Sequence, residues 1–151
     1  MNYFNNKVFS ALILGVVLIL GGCASVPMAS LELDNQAKSF AASPDISLIY
    51  IYRNESMGGA IPMTISLDGK TLGQTGPKTY FMADVEPGKH EIESFTENVA
   101  KISLDTEPGR IYYVWQEVKM GMWAARSALH VVSEEEGQEG VKECKLAQSL
   151  H

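Results

Sequence analysis

Basic residues are scarce in this sequence. Its 151 residues contain 12 Lys and Arg against 18 Asp and Glu, a formal net charge of −6. A protein that binds nucleic acid, or that adheres to anionic lipid through charge alone, needs an excess of cations on its surface. The composition therefore argues against both classes.

The short motifs of metal and phosphate sites are also missing. The three histidines, His90, His130 and His151, have no second ligand at His-x-x-x-His or Cys-x-x-Cys spacing. Gly58-Gly59 lacks the Lys-Ser/Thr of a phosphate-binding loop, and no Gly-x-Ser-x-Gly elbow is present. We therefore predict no metal and no cofactor. A hydrolase or transferase with a loop-borne active site remains an alternative, because the members of a Ser-His-Asp triad need not be close in sequence.

No apolar run is long enough to span a membrane. The longest covers residues 8–20, which are 13 residues with one polar member, whereas a spanning helix needs about 20. Lys7 precedes this run and the small residues Gly21 and Gly22 follow it. This order is typical of a signal peptide, which we assign to residues 1–22.

Residues 20–23, Leu-Gly-Gly-Cys, resemble the lipobox of bacterial lipoproteins. The resemblance implies that Cys23 receives a diacylglyceryl group and becomes the first residue after cleavage. Two or more acyl chains give stable anchoring, so we expect a membrane-bound lipoprotein. Ala24 stands where an Asp would favour inner-membrane retention, which points to the outer membrane, facing the periplasm. An ordinary secretory signal with a chance cysteine, or an uncleaved short anchor, is the alternative.

Cleavage leaves 129 residues, about one domain's worth, with 11 basic and 18 acidic side chains and a net charge of −7. We divide them into a lipidated tether, 23–33, and a domain, 34–149. Lipidation of Cys23 makes Cys144 a lone thiol in an oxidising compartment. We expect Cys144 to be a half-buried small apolar residue, with pairing between chains as the alternative.

Alternating apolar residues predict an all-β domain. Asp34 is the expected N-cap of a short helix that reaches Phe40. From Ile46 onward the apolar period is two, and Ser133-Glu134-Glu135-Glu136 is a capping box for a terminal helix. The strand-like runs are residues 46–53, 61–67, 70–75, 79–85, 90–95, 100–105, 111–118 and 127–132. About eight strands and a short C-terminal helix indicate an antiparallel β-sandwich or small barrel.

Three turns are readable between these strands. Asp68-Gly69 is a type I′ hairpin signal. The segment 86–89, Glu-Pro-Gly-Lys, recurs as Glu-Pro-Gly-Arg at 107–110, and Pro-Gly suits a type II turn. We interpret the repeated turn as part of two similar hairpins in one meander.

Several segments together resemble a known family. They are AKSF (37–40), LIYIYR (48–53), ISLDGKTLG (65–73), the Tyr80 strand, VEPGKHEI (85–92), EPGRIYYV (107–114) and the late helix. The run from residue 37 to about residue 147 resembles bacterial lipoproteins that carry a domain of unknown function. Residues 85–92 are also similar to PEGA-type modules, which are small surface β-sandwiches. The resemblance implies the fold and brings no activity.

Two features are candidates for contact with a partner. The first is the loop 120–123, Met-Gly-Met-Trp, which is either tucked over the end of the sandwich or exposed to a partner or membrane; we expect it to be tucked. The second is an aromatic set beside Arg53, namely Tyr50, Tyr52, Tyr112, Tyr113 and Trp115. Such a set stacks on sugars or anchors a protein, or it is core with a snorkelling arginine.

The sequence thus predicts a non-enzymatic envelope lipoprotein whose domain binds an envelope protein or a cell-wall glycan. A purely structural part of a larger envelope complex is a further alternative. We select Cys23 as the site of lipid attachment. The residues that we select for binding are Arg53, Tyr112, Trp115, Met122 and Trp123.

Overall fold

The structure is a computed structural model that describes residues 25–57, 59, 61–123 and 125–151. The signal peptide and Cys23 lie outside these residues. Within them the chain forms two helices, α1 (Leu31–Ala37) and α2 (Glu134–Lys142). The strands are β1 (Ser47–Arg53), β2 (Met63–Leu67), β3 (Lys70–Thr75), β4 (Thr79–Val85), β5 (Gly88–Phe95), β6 (Val99–Thr106), β7 (Ile111–Met120), β8 (Ala125–Val132) and β9 (Lys145–Leu146).

The strands form two sheets. One has the order β8-β7-β1-β4-β9 and the other β3-β2-β5-β6. The prediction of an all-β sandwich with a short C-terminal helix is confirmed. The antiparallel description needs one correction, since β1 pairs in parallel with β7, and β4 with β9. Alternation identifies a strand but carries no information about the direction of its neighbour.

The main core lies between the two sheets. Ile49, Ile51 and Val114 from the first sheet pack with Ile65 and Ile92 from the second, and all five are fully buried. β1 is buried along its whole length, as expected for a central strand that is apolar on both faces. The sandwich is thus organised around β1.

A second core covers the outer face of the five-stranded sheet. Tyr50, Tyr52, Tyr80 and Tyr113 are buried there together with Val141 of α2. Helix α2 begins at the predicted cap, where Ser133 Oγ accepts a hydrogen bond from the Glu136 N–H. The helices therefore form a third layer, which the sequence pattern did not predict.

The N-terminal segment is part of the domain, so the prediction of a tether up to residue 33 is wrong. Val26 is 8% exposed and joins the main core. Met28 forms an antiparallel bridge with Ala147. These contacts fix the segment because the backbone gains hydrogen-bonding partners while Val26 is removed from water.

Helix α1 also begins earlier than predicted. Ser30 is the N-cap and accepts from the Leu33 N–H, whereas Asp34 lies inside the helix. Its buried carboxylate accepts from Tyr80 Oη, Lys38 Nζ and the Leu146 N–H, each at 2.9 Å. Asp34 is therefore a node that joins the first helix to β4 and β9.

The turns agree with the sequence only in part. Asp68 and Gly69 have φ of 51° and 76°, which confirms the type I′ turn between β2 and β3. The two Pro-Gly turns do not close hairpins, since each carries the chain from one sheet to the other. A local turn signal sets a change of direction and leaves the next pairing partner open.

One end of the sandwich, which we call the hairpin end, gathers four connections: the loop after β1, the β3–β4 turn, the β5–β6 turn and the β7–β8 hairpin. Arg53 pairs with Thr79, and Asn98 exchanges hydrogen bonds with Ser127. Gln116 ties the sheets together here by donating to Ser94 Oγ at 2.7 Å and accepting from Thr75 Oγ1 at 2.6 Å.

Among the described residues, no helix has the length and apolar character needed to cross a bilayer.

Candidate functional site

The tip of the β7–β8 hairpin, residues 120–123, is exposed. Met120, Met122 and Trp123 are 80%, 83% and 89% accessible, so the prediction that this loop tucks over the sandwich is wrong. The hairpin is covered only as far as Val118 and Ala125, which are buried against Met63. β7 continues beyond that cover, and the tip projects into solvent.

Other apolar side chains surround the base of this tip. Phe95 and Val99 pair across the β5–β6 turn, which contacts β8 through Asn98 and Ser127. Met57 lies in the loop after β1, and all three apolar side chains are exposed. Exposed apolar groups that cluster at one end mark a contact surface more strongly than scattered ones.

Two cations stand directly behind the tip. Lys119 and Arg126 face each other across the hairpin, and both are exposed. The segment 119–126 contains no acidic residue, although the protein as a whole is acidic. The tip therefore combines three large apolar side chains with two basic side chains at the strand positions next to it.

Arg53 is not a contact residue. Its side chain is fully buried and donates to the backbone oxygens of Ile61 and Met57, each at 3.0 Å. The guanidinium thereby holds the loop that follows β1. Both interpretations of Arg53, recognition and snorkelling, are wrong, because β1 places it on the inward face with Ile49 and Ile51.

Most of the aromatic set belongs to the second core. Tyr50 and Tyr113 stack with ring centroids 5.4 Å apart and an interplanar angle of 20°, and Tyr52 is equally buried. Burial raises the pKa of Tyr50 well above its usual range. These parallel rings are covered by the helices and offer no face to a sugar.

The other two aromatic candidates are half-buried. Tyr112 Oη accepts from the Glu107 N–H at 2.9 Å and so ties down the second Pro-Gly turn. Trp115 packs against His130, with centroids 5.2 Å apart. Neither residue lies at the hairpin tip, so the structure does not bring the five predicted binding residues together.

His90 and Asp68 line an open cleft of about 660 Å³ between β3 and β4. The His90 ring reaches Asp68 Oδ2 through Nδ1 and the Glu86 backbone oxygen through Nε2, both at 2.7 Å. Both partners are acceptors, so the ring donates twice and carries a charge. Burial alone lowers the pKa of His90, but these hydrogen bonds outweigh it and raise the pKa. This histidine is a clip between two turns, with neither nitrogen left to act as a base.

His130 has a carboxylate partner as well. Its Nε2 lies 2.8 Å from Glu117 Oε2, and Lys119 Nζ lies 3.3 Å from the same oxygen. The group sits on the surface of the β7–β8 hairpin, where ion pairs contribute little to stability. Within the described residues no group of three or more His, Cys, Asp or Glu side chains is arranged to hold a metal.

Cys144 is buried rather than half-buried. It is 1% exposed and its Sγ donates to the Arg53 carbonyl at 3.4 Å. Burial raises the pKa of the thiol to about 12, which leaves it protonated and unreactive. The apolar role predicted for this residue fits that environment.

Sequence reasoning missed the residues that complete the exposed surface. Met57 and Val99 lie between the predicted strands, and Phe95 is the last residue of one of them, so the strand pattern gives none of the three a special place. Their shared signal is weak: each is an apolar residue close to a polar turn. Only the pairing of the strands shows that these turns meet at one end.

Two comparisons with known proteins bear on the family. Residues 43–128 match the family described as "Protein of unknown function (DUF2846)". An "Uncharacterized protein" of Haemophilus influenzae (strain ATCC 51907 / DSM 11121 / KW20 / Rd) is 36% identical over 151 residues, covering 97% of this chain and 89% of the relative. The matched segment contains β1 to β7 and the first half of β8, which is most of the sandwich. The chain therefore belongs to this family of proteins of unknown function.

Proposed function

We propose that this protein is a lipid-anchored protein of the bacterial envelope whose sandwich is a non-enzymatic contact module. The observation that carries the proposal is the exposed hairpin tip with Met120, Met122 and Trp123. A folded domain rarely leaves three large apolar side chains in water without a partner. The lipobox-like residues 20–23 supply the anchor.

The side chains with possible acid-base or nucleophilic chemistry favour a contact role over a catalytic one. His90 makes two hydrogen bonds inside the domain and Cys144 is buried. A general base or nucleophile needs a free lone pair facing its substrate. A glycan is disfavoured as the partner, because the stacked tyrosines are buried.

Lipid attachment is tested by following the N-terminus in cells. We expect the chain to incorporate a labelled fatty acid and to fractionate with the outer membrane, whereas Cys23→Ser incorporates no label and accumulates as an unprocessed precursor or a soluble form. Cys144→Ser is the matched control and should keep the label. Normal cleavage and membrane fractionation of Cys23→Ser would contradict the proposal.

The contact role is tested with a photo-crosslinking residue at position 123. We expect strong adducts with an envelope component from this position. The same residue at Val131, which is exposed on the far part of the same hairpin, should give few. Equal labelling from the two positions would show that the tip has no special partner.

A further inference from the structure

The described chain begins at the hairpin end of the sandwich. Ser25 lines one cleft together with Pro77 of the β3–β4 turn. Pro77 in turn touches the loop after β1, since a Cβ added to Gly59 would lie 3.3 Å from its Cγ. This turn leads into Thr79, the partner of Arg53 at the end of β1. Ser25 and the exposed tip therefore lie at the same end of the sandwich.

The chain between the folded body and Cys23 is very short. Only Ala24 lies between Cys23 and Ser25. An extended chain advances at most about 3.6 Å per residue, so the two Cα atoms are at most about 7 Å apart. Val26 is already in the core, so the folded domain cannot release further residues to lengthen this connection. An acyl group on Cys23 therefore holds the hairpin end against the membrane that contains it.

We propose that the hairpin tip, with Met120, Met122 and Trp123, inserts into the same lipid leaflet that holds the anchor. This inference rests on the proposed lipidation of Cys23. The sandwich then stands on the membrane through two contacts, one covalent lipid and one apolar tip. A lipid surface is the occupant that explains why the three most exposed large apolar side chains of the described residues, Met120, Met122 and Trp123, stand together at this end.

The chemistry of the tip fits a lipid interface. Tryptophan favours the boundary between headgroups and acyl chains, because its ring is apolar and its N–H is polar. Lys119 and Arg126 stand just behind the tip, where lipid phosphates would lie. The protein is acidic overall, so charge alone cannot hold it on the membrane and the apolar contact carries the attachment.

The experiment uses the mature lipidated protein in vesicles of phosphatidylethanolamine and phosphatidylglycerol. The chain has two tryptophans, so the variant Trp115→Phe reports on Trp123 alone. We expect lipids brominated near the headgroup to quench most of the Trp123 emission, and aqueous iodide to lose its effect when vesicles are added. The unsubstituted protein gives the same test if Trp115→Phe fails to fold, since the Trp115 ring is half-buried against His130.

The control places a tryptophan at the other end of the same hairpin. Val131 is six residues from Ala125 along β8, about 20 Å from the tip. Val131→Trp, made together with Trp115→Phe and Trp123→Phe, should keep full iodide access and show little quenching by brominated lipid. A second variant, Met120→Ser with Met122→Ser, should weaken the quenching of Trp123 without loss of lipidation.

The outcomes separate this inference from the proposal beneath it. The mass of the N-terminal peptide is measured first, and a peptide without acyl chains overturns the lipid anchor. If the peptide is acylated but Trp123 stays as accessible to iodide as the tryptophan at 131, the membrane contact is overturned and the anchor stands. Specific crosslinking of position 123 to one protein, with no quenching by lipid, also overturns the inference in favour of a protein partner.

Discussion

Gly137 of α2 passes directly over the ring of Tyr113, so closely that an added Cβ would lie 2.1 Å from Tyr113 Cγ. Gly140, one turn later, stands in the same relation to Tyr52, at 2.2 Å from Cε2. Real Cβ atoms do not approach carbon at such distances. The helix lies flat on the tyrosine layer because these two positions lack side chains.

The first prediction follows from this contact. Gly137→Ala and Gly140→Ala should each lower the free energy of unfolding by about 1–3 kcal/mol, the usual cost of overpacking. They should do so even though alanine favours a helix interior by about 1 kcal/mol over glycine. Urea unfolding measures the change. Glu139→Ala, on the exposed face of the same helix, is the control and should be neutral, and stabilisation by either glycine variant would show that the helix does not rest on the tyrosines.

A second prediction concerns Asp34. The variant Asp34→Asn should lower the free energy of unfolding by about 1–3 kcal/mol, since the neutral amide weakens the buried hydrogen bonds to Tyr80 and Lys38. It should also speed amide exchange in α1. Glu32→Gln in the exposed first turn of the same helix is the matched control.

The Asp34 carboxylate also predicts a response to acid. Burial by itself raises the pKa of Asp34, but hydrogen bonds from Lys38, Tyr80 and Leu146 outweigh it and lower the pKa below its usual 3.8. The stability that the charged Asp34 carboxylate contributes is therefore present above pH 3.8, and it is lost as pH falls through the lower pKa of the folded state. Equal acid sensitivity of the parent and Asp34→Asn would contradict the role of the charge.

A third prediction concerns the His90–Asp68 clip. The pKa of His90 is raised above 6.5 in the folded state, so the stability that it contributes is complete below that value and is lost as pH rises through the folded pKa. Replacing His90 by Gln should therefore cost more at about pH 5.5 than at about pH 8.5. We expect His90→Gln to lower the free energy of unfolding by about 0.5–1 kcal/mol at the lower pH, since Asp68 is nearly half exposed.

Unfolding curves at the two pH values measure this difference. The carboxylate of Asp68 has a lowered pKa, because its hydrogen bond with His90 outweighs the effect of burial. Asp68→Asn should therefore abolish most of the pH dependence of the His90→Gln effect. A cost of His90→Gln that grows with rising pH would show that the ring is neutral in the folded protein.

A fourth prediction is a count of thiols. The Cys144 thiol is buried and its pKa is raised to about 12, so a disulfide reagent at about pH 8 should not react with the native protein. In denaturant the mature protein should release one thiol per chain, although the sequence contains two cysteines. Two thiols would show that Cys23 carries no thioether-linked lipid, and fast reaction before denaturation would show that Cys144 is accessible.

Local features of this fold were predictable from the sequence because the signals are local. The β2–β3 hairpin follows from Asp68-Gly69, and the burial of β1 follows from its five consecutive apolar residues, 48–52, which supply both faces of the strand. Helix α2 begins where Ser133 and the acidic turn require it. Each of these depends on a few adjacent residues.

Features that depend on distant partners were not predictable. The parallel pairing of β1 with β7 joins segments about 60 residues apart. Arg53 was misjudged because the carbonyls that it reaches lie in a loop whose path no pattern specifies. The hairpin tip was placed wrongly for a similar reason: whether Trp123 is covered depends on how far the other strands extend.

The bridge between Met28 and Ala147 determines when the N-terminal segment of the domain can fold. Ala29 donates to the Leu146 carbonyl, and Gln148 donates to that of Pro27, so the first described segment is completed only when residues 146–148 are in place. If the chain is exported from its N-terminal end, as the proposed lipidation requires, residues 27–29 lack these partners until residues 146–148 have crossed the membrane. The chain next to Cys23 would then be open to the enzymes that modify and cleave it. Closure of the fold over that stretch would then mark the end of maturation.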